Sequence, residues 1–231
     1  MKRIRTVIID DERSARNEIA EQLAAFNDFE LCGLAQNAGE ARQLIKLQKP
    51  DLLFLDIQMP AESGFELLES LLVAPEVIFV TAYDHYAVRA FEVNAWDYLL
   101  KPVREERFEM ALHKFKSKWL SGHRSPQVCI RDKGQRQLVR WDEIHLITSM
   151  DNYACLHLGE KKLWLKTSLN QLEMELDRHM FFRINRAEII NTAFIHKISP
   201  AEKGRLMVTL TGGQTLGISD RQSARFRKFY S

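Results

Sequence analysis

Four short apolar runs in the first half of the chain each stop on residues that can do chemistry, and this pattern constrains the fold more than any other. Val7-Ile8-Ile9 run into Asp10-Asp11-Glu12, and Leu52-Leu53-Phe54-Leu55 run into Asp56. Val77-Ile78-Phe79-Val80 end on Thr81, and Tyr98-Leu99-Leu100 end on Lys101-Pro102. Short apolar runs without polar alternation mark strands covered on both faces, as in parallel sheets. In open parallel α/β sheets, ligands gather at the carboxyl ends of the strands. Three carboxylates, a hydroxyl and an ammonium group therefore converge on one crevice. That set suits magnesium-assisted acceptance of a phosphoryl group.

Segments of helical period separate the runs. They are Arg13–Phe26, with Ile19, Leu23 and Phe26 on one face, then Ala38–Leu47, Gly64–Leu72, His85–Glu92 and Glu105–Trp119. With strands at Thr6–Ile9, Leu31–Ala35, Leu52–Leu55, Val77–Val80 and Tyr98–Leu100, the pattern gives five βα units. Right-handed crossovers then predict an α/β, flavodoxin-like, doubly wound five-stranded parallel sheet with helices on both faces.

The helical pattern stops near Leu120, and Ser121–Pro126 is polar and rich in breakers. The expected organisation is a first domain over 1–119, a linker over 120–126 and a second domain over 127–231. The second half reads as short β segments: Val128–Ile130, Gln137–Trp141, Ile144–Ser149, Ala154–Leu158, Leu163–Thr167, Glu188–Ile190, Ile195–Ile198, Leu206–Leu210 and Thr215–Ile218. One amphipathic helix, Ser168–Leu176, interrupts them, and Gly212-Gly213 marks a hairpin turn. Phe181–Arg186 reads as a loop rich in donors, and Ser219-Asp220-Arg221 as the close of the last strand, with Arg225, Arg227 and Lys228 following. Trp141 and Trp164 lie in apolar strands and are expected in the β core.

Charge divides at the same place. Residues 1–121 carry 15 Lys and Arg against 20 Asp and Glu, whereas residues 122–231 carry 18 against 11. A basic half joined to an acidic one points to a polyanionic partner for the second domain. Three cysteines without a C-x-x-C pair and histidines without ligand spacing argue against a disulfide framework or a zinc site. With no apolar stretch of membrane-spanning length, the expected location is the cytoplasm.

Taken singly, the acidic features have plainer readings, since Asp10-Asp11-Glu12 would cap a helix and Asp56 would open a turn. Four such elements in order at four strand ends favour the shared crevice. The matched residues are Val7–Glu12, Asp56-Ile57-Gln58-Met59-Pro60 with Gly64, Thr81-Ala82 and Asp97–Pro102, and over residues 4–118 the chain resembles the receiver domains of two-component response regulators. That resemblance implies that Asp56 takes a phosphoryl group from a sensor histidine kinase. It also implies that Asp10, Asp11, Asp56 and the backbone carbonyl of Gln58 serve Mg2+, Asp10 through a water. Lys101 would grip the phosphoryl group, Thr81 would move toward it and Tyr98 would be the aromatic of the switch. The last two receiver helices would form a homodimer on activation.

Ser149–Tyr153, Leu163–Leu169, Phe182-Arg183, Ile189–Asn191 and Leu216–Ser219 resemble a LytTR-type DNA-binding domain, a mainly β fold. By position, Asn152, Arg186 and Arg221 become base-reading candidates on double-stranded promoter DNA, with Lys166, Arg183 and Arg225 on phosphates, Arg183 having a structural salt bridge in a hairpin as its plainer reading. Asn185 stands where histidine is frequent, and Asp220 interrupts a common Ser-Arg pair. Together the resemblances imply a LytTR (LytR/AlgR) response regulator, a stoichiometric phosphoacceptor and not an enzyme. A phosphatase would want an acid–base carboxylate two residues after Asp56, where Gln58 stands. An adaptor whose basic half binds protein or RNA is the other alternative.

Overall fold

A computed structural model of the chain describes residues 3–83, 95–120, 126–132 and 134–230. The expected helix His85–Glu92 and most of the expected linker lie outside them. Contacts divide the chain into two compact units, Met1–Cys129 with Lys133–Val139, and Ile130–Asp132 with Arg140–Ser231.

In the first unit, β1 (Ile4–Ile9), β2 (Phe29–Ala35), β3 (Leu52–Leu55), β4 (Glu76–Thr81) and β5 (Asp97–Leu100) form a parallel sheet. Its order is β2-β1-β3-β4-β5, the doubly wound arrangement that the apolar runs predict. Successive residues of a strand point to opposite faces, so each run supplies two cores at once. Val7, Ile9, Leu53, Leu55, Val77 and Phe79 belong to one core cluster. Ile8, Leu52, Phe54, Ile78 and Val80 belong to the other.

Helices α1 (Arg13–Ala24) and α4 (Glu105–Leu120) cover the second cluster with Ile19, Leu23, Phe108, Leu112 and Phe115. Helices α2 (Ala38–Gln48) and α3 (Gly64–Glu69) cover the first with Ala41, Ile45, Phe65, Leu67 and Leu68. Asn37 caps α2 by accepting the amide of Glu40, and Ser63 with Glu66 forms a reciprocal capping box on α3. The hairpin of β6 (Gln127–Asp132) and β7 (Gln135–Arg140) contributes Cys129 and Leu138 to the first cluster.

In the second unit, β8 (Leu146–Met150), β9 (Tyr153–Leu158), β10 (Lys161–Leu165), β11 (Phe181–Arg183) and β12 (Glu188–Asn191) form an antiparallel sheet of order β10-β9-β8-β12-β11. A second antiparallel sheet holds β13 (Ile195–Pro200), β14 (Leu206–Leu210) and β15 (Thr215–Ile218). Helix α5 (Leu169–Glu175) starts at Ser168, which forms a capping box with Gln171, and helix α6 (Asp220–Tyr230) ends the chain.

Three local expectations are corrected. Phe181–Arg183 is a strand, paired with Ile189–Asn191, because Phe181 and Phe182 are both buried on opposite faces of a half-covered edge. Asp220 and Arg221, expected to close the last strand, instead open α6, in which Ser223 and Phe226 are buried among the described residues. Trp164 is 42% exposed, because Leu163 and Leu165 on either side take the buried face, whereas Trp141 is buried against Phe181.

His145 and His157 lie together in this unit with ring centroids 6.0 Å apart, and His157 Nε2 is 3.0 Å from Thr148 Oγ1. Burial depresses the pKa of both below the usual 6.5, with Lys162 adding to the effect at His157. The unfolded chain therefore takes up protons that the folded unit resists. Stability is fully present above the unfolded pKa and is lost as pH falls through the folded values. We expect the urea midpoint of this unit to drop between about pH 7.5 and pH 5.5, and His157→Gln to flatten that slope. An unchanged slope in the variant would remove His157 from the account.

Candidate functional site

The strand ends bring the acidic residues together. The Asp10 amide donates to the Ala35 carbonyl at 3.0 Å and the Asp56 amide to the Ile9 carbonyl at 2.9 Å, so both residues extend the sheet ladder by one step. Asp10 Oδ1 then accepts the Glu12 amide at 3.0 Å, which turns the chain into α1. The α1 N-cap, Glu12, makes no side-chain cap bond. The acidic trio thus serves the crevice more than the helix end. The carboxylate oxygens of Asp10, Asp11 and Asp56 lie within 4.8 Å of one another.

Lys101 Nζ bridges two of them, 2.7 Å from Asp10 Oδ2 and 3.0 Å from Asp56 Oδ2. The Gln58 amide holds the other Asp56 oxygen at 3.2 Å. Burial raises the pKa of Asp10 above the usual carboxylate value, against the pull of Lys101. Burial also opposes the charge on Lys101, but its hydrogen bonds to Asp10 and Asp56 outweigh that and hold the ammonium above its ordinary pKa. Thr81 is fully buried, and its hydroxyl oxygen has no hydrogen-bond partner among the described residues. An open crevice of about 690 Å³ is bounded by Asp11, Asp56, Gln58, Ser63, Tyr83 and Lys101. Tyr98 is half-buried at the edge of β5, with its hydroxyl donated to the Tyr83 carbonyl.

The donor set fits Mg2+: hard carboxylate oxygens in a close group, open to solvent on one side so that waters can complete an octahedron. The unpartnered Thr81 hydroxyl is a second point of fit, since a buried donor left alone costs roughly 1–3 kcal/mol until an acceptor arrives.

Three supporting residues escaped the sequence reading. Arg16 donates to the carbonyls of Asp10 and Asp11 at 2.6 and 3.0 Å. Glu18 accepts the Val103 amide at 3.1 Å, and Gln22 donates to the Val103 carbonyl at 2.8 Å, fixing the segment that carries Lys101. Their signal was position: all three flank the buried α1 stripe of Ala15, Ile19 and Leu23.

In the second unit, strand register sets several turns at one end of the larger sheet. Met150 pairs with Tyr153 across the β8–β9 turn, and the Ser149 amide donates to the Ala187 carbonyl. The end of β10, where Leu165 faces Ala154, lies beside that turn, and the Ser219 amide donates to the Ile184 carbonyl. Asn152, Lys166, Arg186 and Arg221 are exposed on these segments. Arg183, Arg186, Arg221 and Arg225 line one open cleft of about 800 Å³ together with Glu173, whereas Asn152 and Lys166 lie outside it. Asp220 is paired with Arg205 at 2.6 Å, which offsets its negative charge.

Comparisons with known proteins agree with both halves. The response regulator receiver domain matches residues 6–113, and the LytTr DNA-binding domain matches residues 135–231. The chain is 32% identical over 234 residues to the sensory transduction protein LytT of Enterococcus faecalis, covering 96% of this chain and 97% of that one. It is 36% identical to an uncharacterized response regulatory protein of Vibrio cholerae, with 93% of each chain covered. It is 32% identical to the transcriptional regulatory protein LytR of Staphylococcus aureus, over 91% of this chain and 92% of that one. With both domains matched in order along nearly its whole length, the chain belongs to the LytTR family of two-component response regulators, phosphorylation-regulated transcriptional regulators and not classical enzymes.

Proposed function

We propose that this regulator accepts a phosphoryl group on Asp56 from a sensor histidine kinase, dimerises through the last two receiver helices and binds promoter DNA with its C-terminal β domain. The observation that carries the reading is the Lys101 ammonium shared between Asp10 and Asp56 beside Asp11. Asp10, Asp11, Asp56 and the Gln58 carbonyl would hold Mg2+, Asp10 through a water. When bound, the ion offsets the repulsion between the Asp56 carboxylate and an incoming phosphoryl group. The Gln58 amide and Lys101 orient the two Asp56 oxygens, and Lys101 is placed to neutralise charge on the transferring group. The buried Thr81 hydroxyl donates to a phosphoryl oxygen once one is present, and Tyr98 follows it as the switch. Near the proposed dimer surface, Asp97 on β5 is paired with Arg107 on α4 within the subunit.

The domains divide as 1–119, 120–126 and 127–231 in this reading; the two family matches cover 6–113 and 135–231, and by contacts Gln127–Cys129 and Lys133–Val139 pack with the first unit. Among described residues no helix is long and apolar enough to cross a membrane, and the working location is the cytoplasm. Asn152, Arg186 and Arg221 read bases, while Lys166 and Arg225 meet phosphates.

The test is capture of sheared genomic DNA by the full-length protein, with and without a small-molecule phosphodonor and Mg2+. Enrichment of a few loci, stronger after phosphorylation, is expected. Equal enrichment in both samples would make the phosphoryl group dispensable for binding. No enrichment would overturn the DNA reading.

A further inference from the structure

The exposed candidates Asn152, Lys166, Arg186 and Arg221 make no side-chain hydrogen bond or ion pair among the described residues, but Arg183 is spoken for. Its side chain is 14% exposed. Nε donates to the Asn185 carbonyl at 3.1 Å, and Nη2 donates to the Arg186 carbonyl at 2.9 Å. Nη1 donates to Asn170 Oδ1 at 2.5 Å and to Glu173 Oε2 at 3.1 Å, both on α5. These four bonds leave one of the guanidinium's five N–H donors for anything else.

We infer that Arg183 is a positioning residue for DNA recognition, which fixes the Asn185–Ala187 loop against α5 and thereby presents the Arg186 side chain. This rests on the DNA reading above and moves Arg183 out of the set of phosphate contacts. The loop is short and otherwise closed by Asn185 itself, whose Oδ1 accepts the Ala187 amide at 2.8 Å and whose Nδ2 donates to Glu188 at 2.6 Å. Those bonds shape the turn, and the loop is also held at the sheets, where Asn185 Nδ2 donates to the Gly217 carbonyl of β15 at 3.4 Å and the Ala187 carbonyl accepts the Ser149 amide of β8. Arg183 supplies the tie to α5: two bonds reach loop carbonyls on one side, and two reach α5 on the other. A planar fork with fixed donor directions spans such a set, and a lysine ammonium at the end of a flexible stem does not. Glu173 reinforces the arrangement: it pairs with Arg183 at 3.1 Å, closer than the 3.9 Å at which it faces the exposed Arg225, and would repel a phosphate brought to the Arg183 guanidinium.

A charge-conserving substitution separates the two roles. The probes are a duplex recovered by repeated selection from a random-sequence pool with the full-length protein, and a scrambled duplex of the same composition. Arg183→Lys is expected to weaken binding to the selected duplex by about tenfold or more, the range of a lost base contact. Binding to the scrambled duplex and the slope of affinity against salt should stay as in the parent, because no phosphate contact has gone. In an Arg186→Ala background, Arg183→Lys should cost less than about twofold, since the side chain it presents is already missing.

Parent-like binding of Arg183→Lys to the selected duplex would overturn the inference. So would independent, multiplying effects of the two substitutions, the result expected if Arg183→Lys merely weakened the fold. Failure of the parent protein to select any sequence would overturn the DNA reading itself, and is seen before any variant is made.

Discussion

Asp56→Asn is expected to abolish phosphoryl uptake completely while leaving the receiver folded. Asn keeps the shape of the side chain and still accepts the Gln58 amide, which now lies 3.2 Å from Asp56 Oδ1. It removes the anionic oxygen that must attack phosphorus, and no neighbouring side chain replaces it in the same position. Lys101 keeps Asp10 as a partner at 2.7 Å, so the ammonium is not left unpaired. Asp56 is 5% exposed and crowded by two other carboxylates, and neutralising it relieves repulsion while it gives up one bond to Lys101. The melting temperature should therefore be unchanged or higher. Mass spectrometry after incubation with a small-molecule phosphodonor and Mg2+ reads the uptake, and calorimetry reads the fold. An acyl phosphate on the variant would move the acceptor to Asp10 or Asp11 and sink the assignment of roles in the crevice.

The reach of the sequence was set by what side-chain pattern encodes. The bounds of β3 coincide with its apolar run, because a strand buried on both faces must be apolar throughout, whereas those of β14 and β15 follow an alternation that turns Val208, Leu210, Leu216 and Ile218 inward. Asp10, Asp56, Thr81 and Lys101 were legible for the same reason, each being the first polar residue after such a run. Helix α6 was not, since Arg221, Arg225, Arg227 and Lys228 crowd the segment with charge, although Phe226 packs against Phe182 with a ring separation of 4.9 Å. Trp164 misled in the opposite sense: alternation, not hydrophobicity, decides which face a residue takes. Arg16, Glu18 and Gln22 were hidden because their partners are backbone carbonyls and amides. Main-chain groups are the same at every position, so no sequence pattern announces which polar side chain will find them.

Gly64→Ala is the second large effect, and it tests how rigidly the acceptor is mounted. A Cβ at Gly64 would stand 2.3 Å from the Asp56 carbonyl oxygen and 3.0 Å from Leu55 Cγ. The nearer atom belongs to the backbone, so no rotamer change relieves the contact. Neither side of it yields easily. The Asp56 amide is bonded to Ile9 across the sheet, and the start of α3 is held by the Gly64 amide on the Ile57 carbonyl and by the Ser63–Glu66 capping box. Forcing a methyl group into such a gap costs about 3 kcal/mol, at the upper end of overpacking penalties. The strain is expected to come out as a shift of the Asp56 segment relative to Lys101, and a displacement of roughly 1 Å at a reacting group can lower a rate about a hundredfold. Phosphoryl uptake should therefore fall about tenfold or more while the unit still folds, with a lower urea midpoint. Ser63→Ala is the control: loss of the cap destabilises α3 by about 1 kcal/mol and leaves Asp56 where it is, so uptake should hold. If Gly64→Ala lowers the midpoint but takes up phosphoryl groups at the parent rate, the strain has passed into α3, and the acceptor is held by the sheet alone.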